Sequence, residues 1–354
     1  MMDSYVTQRQ NTGSPSSTNA PCHRDGSLSL LRVIATVMIV TVHISGMVLA
    51  QWSHPYWWAG NIYDAIGQMG VPIFLMITGS LFLPKAEGAS QFWRKRAARL
   101  LPPTLFWACI YLGWAGVSVS EWPIKLLTVQ VEYFHLWYLY MLIALSFVVP
   151  ILSAFYRASR LSDRIYYVGL WAVFSIGVTT WRLTAGAAAS AEVDILGSFG
   201  LYLPIGYAGY LFVGAWIYQA QISRVGRIFA WSAAAIGLLG LTLVTYFLSA
   251  KAGNADTRYF NYLAPFIAIG GVGVFAGFKG LKIREGRLLR WMSECALGVY
   301  VVHLGLIREV ASYGINGNSG NAWLTIPYAV ATVILVSLCI VTAIRLTRVG
   351  RWIT

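Results

Sequence analysis

Charge is scarce in this chain, and acid is scarcer than base. Only 11% of its 354 residues are Asp, Glu, Lys or Arg, with 13 acids against 26 bases. A water-facing domain carries about a quarter charged residues, so a soluble globular fold is excluded. The mean hydropathy of +0.62 agrees. Cysteine is also rare. Cys22, Cys109, Cys295 and Cys339 lack the paired spacing of a zinc site or a redox motif. Three of them lie in apolar segments, where cysteine acts as a small hydrophobe. There is no Walker motif and no glycine-rich loop opening a helix after a strand, which excludes the nucleotide folds built on those loops. No His/Cys cluster has metal-ligand spacing, so no metal is expected. There is no tandem repeat of short period and no separate soluble domain.

What is present is apolar. Hydrophobic residues make up 57% of the chain and aromatics 14%. Hydropathy marks about ten spans long enough for a bilayer, at about 28–50, 64–84, 98–118, 135–155, 165–183, 199–220, 228–249, 260–279, 291–311 and 322–344. The expected fold is all-α, a polytopic membrane protein. Residues 1–27 are polar and rich in Ser, Thr, Asn and Pro, the composition of a disordered tail. The apolar run that follows is too long for a secretory h-region and is read as a retained helix. Residues 345–354 form a second short tail.

Orientation follows from the bases. With the N-terminus inside, 20 of the 26 Lys and Arg residues fall on the cytoplasmic side and five outside, with Arg32 at the inner end of the first span. That is a strong positive-inside bias with both termini cytoplasmic. Aromatics crowd the outer edges, as in QWSHPYWW (51–58), in the manner of an interfacial belt. The net charge of +13 is thus explained by topology, and nucleic-acid binding is not needed.

The first span, SLSLLRVIATVMIVTVHISGMVLA (27–50), holds two ionisable residues, Arg32 and His43. Eleven helical steps separate them, about 16 Å of rise and within about 20° of the same direction. They share one face, three turns apart. Taken singly, Arg32 can snorkel to the membrane surface and His43 can be a core histidine. The aligned pair favours function, because ionisable groups in a membrane helix usually mark a functional path.

FWRKRAARLLPP (92–103) follows the second span. Arg96 and Arg99, three apart, share a helix face at the membrane surface, and guanidinium forks suit phosphate oxygens. The plainer reading is a cytoplasmic anchor touching anionic lipid heads. Arg32 at the same membrane face shifts the balance toward a phosphate-bearing ligand. Within span two, Pro72 is expected to kink the helix, Gly70 and Gly79 permit close helix contact, and Asp64 is a candidate to orient His43. VEYFHLWYLYMLI (131–143) places Glu132, His135, Trp137 and Tyr138 at the outer interface, where aromatics with polar tips suit either a hydroxyl-rich acceptor or a plain belt. SECALGVYVVHLGLI (293–307) adds Glu294 and His303, each also readable as structural.

In these residues the chain resembles acyltransferase family 3, the integral-membrane acyltransferases that include bacterial surface-polysaccharide O-acetyltransferases. The carriers are Arg32 with His43 at R-x10-H and Arg96 with Arg99 at R-x-x-R. VPIFLMITGSLF (71–82), FHLWYLYMLI (134–143), RYFNYLAPF (258–266) and LGVYVVHLGLI (297–307) support them. The likeness spans roughly 28–344 and is nearest the single-domain O-acetyltransferases of enterobacterial common antigen and related glycans. It implies acyl-CoA, usually acetyl-CoA, as cytosolic donor, with no permanently bound cofactor. It implies a glycan or glycolipid acceptor at the outer face of a bacterial inner membrane. On that basis Arg32, Arg96 and Arg99 are the expected donor-binding residues and His43 the catalytic base, neutral imidazole suiting the role near neutral pH. His135, Trp137, Tyr138, Glu294 and His303 are the expected substrate-binding residues. The competing class is a non-catalytic transporter or exporter of a small solute or glycan-lipid, which should show related halves with matching broken helices. Pro72 and Pro265 lie in spans, but no convincing internal symmetry accompanies them.

Overall fold

The computed structural model describes residues 26–128, 135–185, 206–279, 281 and 283–354. Among these every regular element is helical. The order is α1 (Gly26–Leu49), α2 (Trp57–Gly67), α3 (Gly70–Phe82), α4 (Ala89–Trp114), a 3₁₀ turn (Val119–Glu121), α5 (Trp122–Thr128), α6 (Trp137–Ala158), α7 (Leu161–Trp171), a π-helical stretch (Ala172–Gly177), α8 (Val178–Ala185), α9 (Ala208–Gln219), α10 (Arg224–Ala252), α11 (Pro265–Lys279), α12 (Arg287–Ser312), α13 (Ala322–Arg345) and α14 (Gly350–Ile353).

Six helices among the described residues are long and apolar enough to cross a membrane: α1, α2 and α3 taken together as Trp57–Phe82, α6, α10, α12 and α13. They coincide with six of the ten expected spans. The other four meet shorter or more charged elements. The expected 98–118 falls on α4, whose first half carries Arg94, Lys95, Arg96 and Arg99. The 165–183 span is divided by the π-helical stretch. The 199–220 span lies outside the described residues up to 205 and ends on the 12-residue α9. The 260–279 span is reduced to the 15-residue α11. Twelve to fifteen residues rise only about 18–23 Å, short of a hydrocarbon core of about 30 Å. A hydropathy window averages over charges and helix breaks, which is how a count of ten arises.

The helix α1 lies at the centre, packed against α2, α3, α12 and α13. Its hydroxyls suit that place. Thr36 donates to the Arg32 carbonyl at 2.8 Å and Thr41 to Val37 at 2.9 Å. Ser45 donates to Thr41 at 2.7 Å. Back-bonding of this kind hides polar groups that an apolar surround would penalise. The expected N-terminal tail lies outside the described residues only up to 25. Gly26 and Ser27 already belong to α1 and are buried, because the Gly26 amide donates to the Ile283 carbonyl at 3.2 Å. The last residues also dock: Trp107 of α4 donates its indole N–H to the Ile353 carbonyl at 2.8 Å.

Proline and glycine set the crossings. Pro72 sits in the first turn of α3, where its missing N–H is cheap, and the break between α2 and α3 at Gln68–Met69 lies just before it. Pro327 inside α13 leaves the Trp323 carbonyl without its helical donor, and Tyr63 of α2 fills that place at 3.1 Å. Gly79 lets α3 cross α9 backbone to backbone. A Cβ there would lie 1.8 Å from the Leu211 carbonyl oxygen. Gly79→Ala must push the two helices apart, an overpacking cost expected at about 3 kcal/mol. It should appear as a clear drop in the thermal midpoint of the detergent-solubilised protein. Gly88→Ala, where a Cβ meets nothing within 4 Å, is the control, and equal midpoints for the two variants contradict the crossing.

Candidate functional site

The crossing of α3 with α9 fixes one wall of a cavity of about 320 Å³ between α1, α3, α4, α6 and α12. Arg32 reaches it from α1, and Arg96 with Arg99 from α4. Tyr138 of α6 and Tyr300 of α12 close its deep end, and Phe74 and Thr78 line the α3 side. Each arginine is held without a carboxylate salt bridge among the described residues. Arg32 donates from Nη1 to Ser293 at 2.8 Å. The Arg96 guanidinium lies over the Phe82 ring, 4.6 Å from its centroid, a cation–π contact. Glu294 is the one acid among the lining residues, and its side chain is exposed. Three guanidinium groups facing one cavity repel each other, and an anion relieves that repulsion. Phosphate suits them in charge and in fork geometry.

Deeper on the same face of α1, His43 meets two more histidines. Its ring centroid is 5.2 Å from that of His303, and His303 is 5.3 Å from His135 at nearly a right angle. His303 is therefore the middle of a row. It is fully buried. Its Nδ1 lies 2.5 Å from the Tyr300 carbonyl, so that nitrogen carries the proton and Nε2 is the acceptor. Among the described residues that Nε2 has no hydrogen-bond partner. Buried polar atoms are seldom left so, and this one is free to accept a hydrogen bond from a group entering the row. Tyr300 joins the two parts of the site. Its ring lines the cavity, and its hydroxyl donates to the His135 carbonyl. Among the described residues no three His, Cys, Asp or Glu side chains converge as metal ligands.

The residues read as an outer-interface group separate here. His135 is buried in the histidine row, Tyr138 is buried in the arginine cavity, and Trp137 stacks on Tyr262 at 5.6 Å and 17°. Neighbours along a helix point about 100° apart, so Trp137 and Tyr138 cannot share a face. Glu132 lies outside the described residues. Glu294, a substrate-binding candidate, lies at the arginine end. Asp64 accepts hydrogen bonds from Ser45 at 3.1 Å and Gln68 at 2.7 Å, one of them two residues along α1 from His43. Ser293 and Tyr300 were not among the sequence candidates. They lie seven apart, two turns of one α12 face that also carries His303, and that stripe was legible.

The chain matches the family model of the acyltransferase domain of acyltransferase family 3 over residues 25–343. No curated protein matches it, and no solved structure does.

Proposed function

Since this chain belongs to acyltransferase family 3, we propose that it transfers an acyl group, acetyl in the first instance, from cytosolic acyl-CoA to a hydroxyl of a cell-surface glycan or its lipid-linked precursor. The observation that supports this best is that one face of α1 joins a three-arginine cavity, through Arg32, to a buried histidine row, through His43. Coenzyme A bears phosphates at one end and the thioester at the end of a long arm. The arginines suit the first. The row with His43, three turns deeper, suits the second.

In this reading His43 takes the proton of the acceptor hydroxyl, and the oxygen attacks the thioester carbonyl carbon. The C–S bond breaks, and the departing thiolate takes the proton back from His43. Atoms and charge balance with no further reactant. His303 offers its free Nε2 as a hydrogen-bond acceptor beside the reacting groups, and His135 extends the row. Tyr138 and Tyr300 line the path of the arm. Trp137 and Glu294 remain acceptor-side and rim contacts in this proposal.

The six long helices and the family make this a multi-pass membrane protein. We further propose that α4, the α7–α8 pair, and α9 and α11, whose shortness is tolerated because other helices enclose them, complete ten crossings, with both termini cytoplasmic, in a bacterial inner membrane. The Lys and Arg asymmetry supports that orientation.

The test is acetyl-CoA-dependent release of free thiol by the purified protein in detergent. Release above a heat-denatured control is expected. A transporter would give none, and that outcome ends the acyltransferase proposal. Ser293→Ala removes the anchor of Arg32. Losing one hydrogen bond to a charged group costs about 1.5–3 kcal/mol at most, so the donor KM should rise about tenfold with kcat within about twofold. An unchanged KM separates Arg32 from donor binding.

A further inference from the structure

A second cavity of about 160 Å³ adjoins the first and shares Arg99 and Leu297 with it. Its other walls are Lys95 of α4 and Arg351, Trp352 and Thr354 at the end of the chain. The short α14 is pinned there by Trp107, whose indole N–H holds the Ile353 carbonyl at 2.8 Å. Arg351 uses Nε on the Arg345 carbonyl at 3.1 Å, which leaves its terminal nitrogens for another acceptor. Lys95 is paired with Glu87 at 2.5 Å. Arg99 and Arg351 form no ion pair among the described residues. This second cavity therefore presents two guanidinium groups against the end of the chain at Thr354, and it carries an exposed indole.

We propose that this cavity binds a phosphate monoester, and that the source is the 3′-phosphate on the ribose of the acyl-CoA donor, with Trp352 against the adenine. The inference rests on the acyl-CoA reading above. A cavity of about 320 Å³ is at the low end of the roughly 300–1,000 Å³ that hold drug-sized ligands. Coenzyme A is larger and carries its charge in two places, a pyrophosphate and the separate 3′-phosphate. Once the arm and pyrophosphate fill the first cavity, the nucleoside end must lie beyond it. Arg99 stands on the boundary and can serve both phosphates. Arg351 reaches only the second.

The experiment is the dissociation constant of CoA and of 3′-dephospho-CoA for the full chain in nanodiscs of zwitterionic lipid, repeated with anionic phosphatidylglycerol present. The wild type should bind CoA about tenfold more tightly than the dephospho form, a difference one charge-assisted phosphate contact supplies. Arg351→Met should abolish that preference by weakening CoA about tenfold and the dephospho form less than about twofold. Arg351→Lys should keep part of the preference. Equal loss for both ligands, or none for either, overturns the proposal, as does a wild type that does not distinguish them. An Arg351→Met effect confined to anionic lipid assigns the cavity to a lipid headgroup and overturns it as well. A wild type that binds neither ligand removes the acyl-CoA donor itself, and this inference with it.

Discussion

His43→Gln is expected to lower acyl transfer by at least about 100-fold while leaving CoA affinity within about twofold of wild type. Positioned general acid–base groups contribute roughly 10²–10⁴-fold. Glutamine keeps most of the volume and the hydrogen-bonding capacity of the imidazole but cannot take up and return a proton. Arg32 lies about 16 Å away along α1 and, with Arg96 and Arg99 of α4, belongs to a different set of contacts, so the donor should still bind. The readouts are kcat from thiol release and Kd from CoA titration. His303→Gln should fall between, because Nε2 of His303 is an orphaned acceptor in the row rather than the proposed base. Turnover above about half of wild type in His43→Gln would show that the α1 pair is structural. A parallel loss of CoA affinity would show that the substitution disturbed the fold instead.

The opposite signature is expected from α4. Arg96→Ala and Arg99→Ala should each weaken CoA binding about 10–100-fold, with kcat at saturating donor changed little. Charge-assisted contacts to phosphate are worth about 1.5–3 kcal/mol, and about 1.4 kcal/mol is tenfold in affinity. Lysine at Arg96 should recover only part of the loss. An ammonium retains charge but not the two-pronged geometry, and it cannot lie flat over Phe82 as the guanidinium does. Isothermal titration of CoA into the wild type and the three variants measures this. Affinities unchanged by both alanine substitutions would assign the pair to lipid headgroups and leave Arg32 without partners in donor binding.

The separation of these two phenotypes depends on features the sequence exposed unevenly. Arg32 with His43 and Arg96 with Arg99 were legible because each pair lies on one helix, where spacing alone determines the face. Nothing in a single segment reports that α1 and α4 converge. Arg32 and its anchor Ser293 are 261 residues apart, and the His43–His303 contact joins helices from opposite ends of the chain. The enclosure of His135 by Tyr111, Tyr300 and His303 was not legible, because its aromatic neighbours along the segment give no sign of which other helices pack on it. The membrane class was plain from composition. The number of crossings was not, since α9 and α11 owe their shortness to breaks that average out in a hydropathy window.

In the proposed reaction the arginines hold the donor three helical turns from the bond that breaks. The phosphates they touch are the same before and after transfer. Contacts of that kind bind the spent carrier about as tightly as the loaded one, since only contacts at the reacting centre tell them apart. Free CoA should then compete with acyl-CoA for the same cavity. Surface decoration would follow the ratio of loaded to unloaded carrier in the cytosol rather than the amount of either, linking the cell's coat to its carbon supply without a separate sensor.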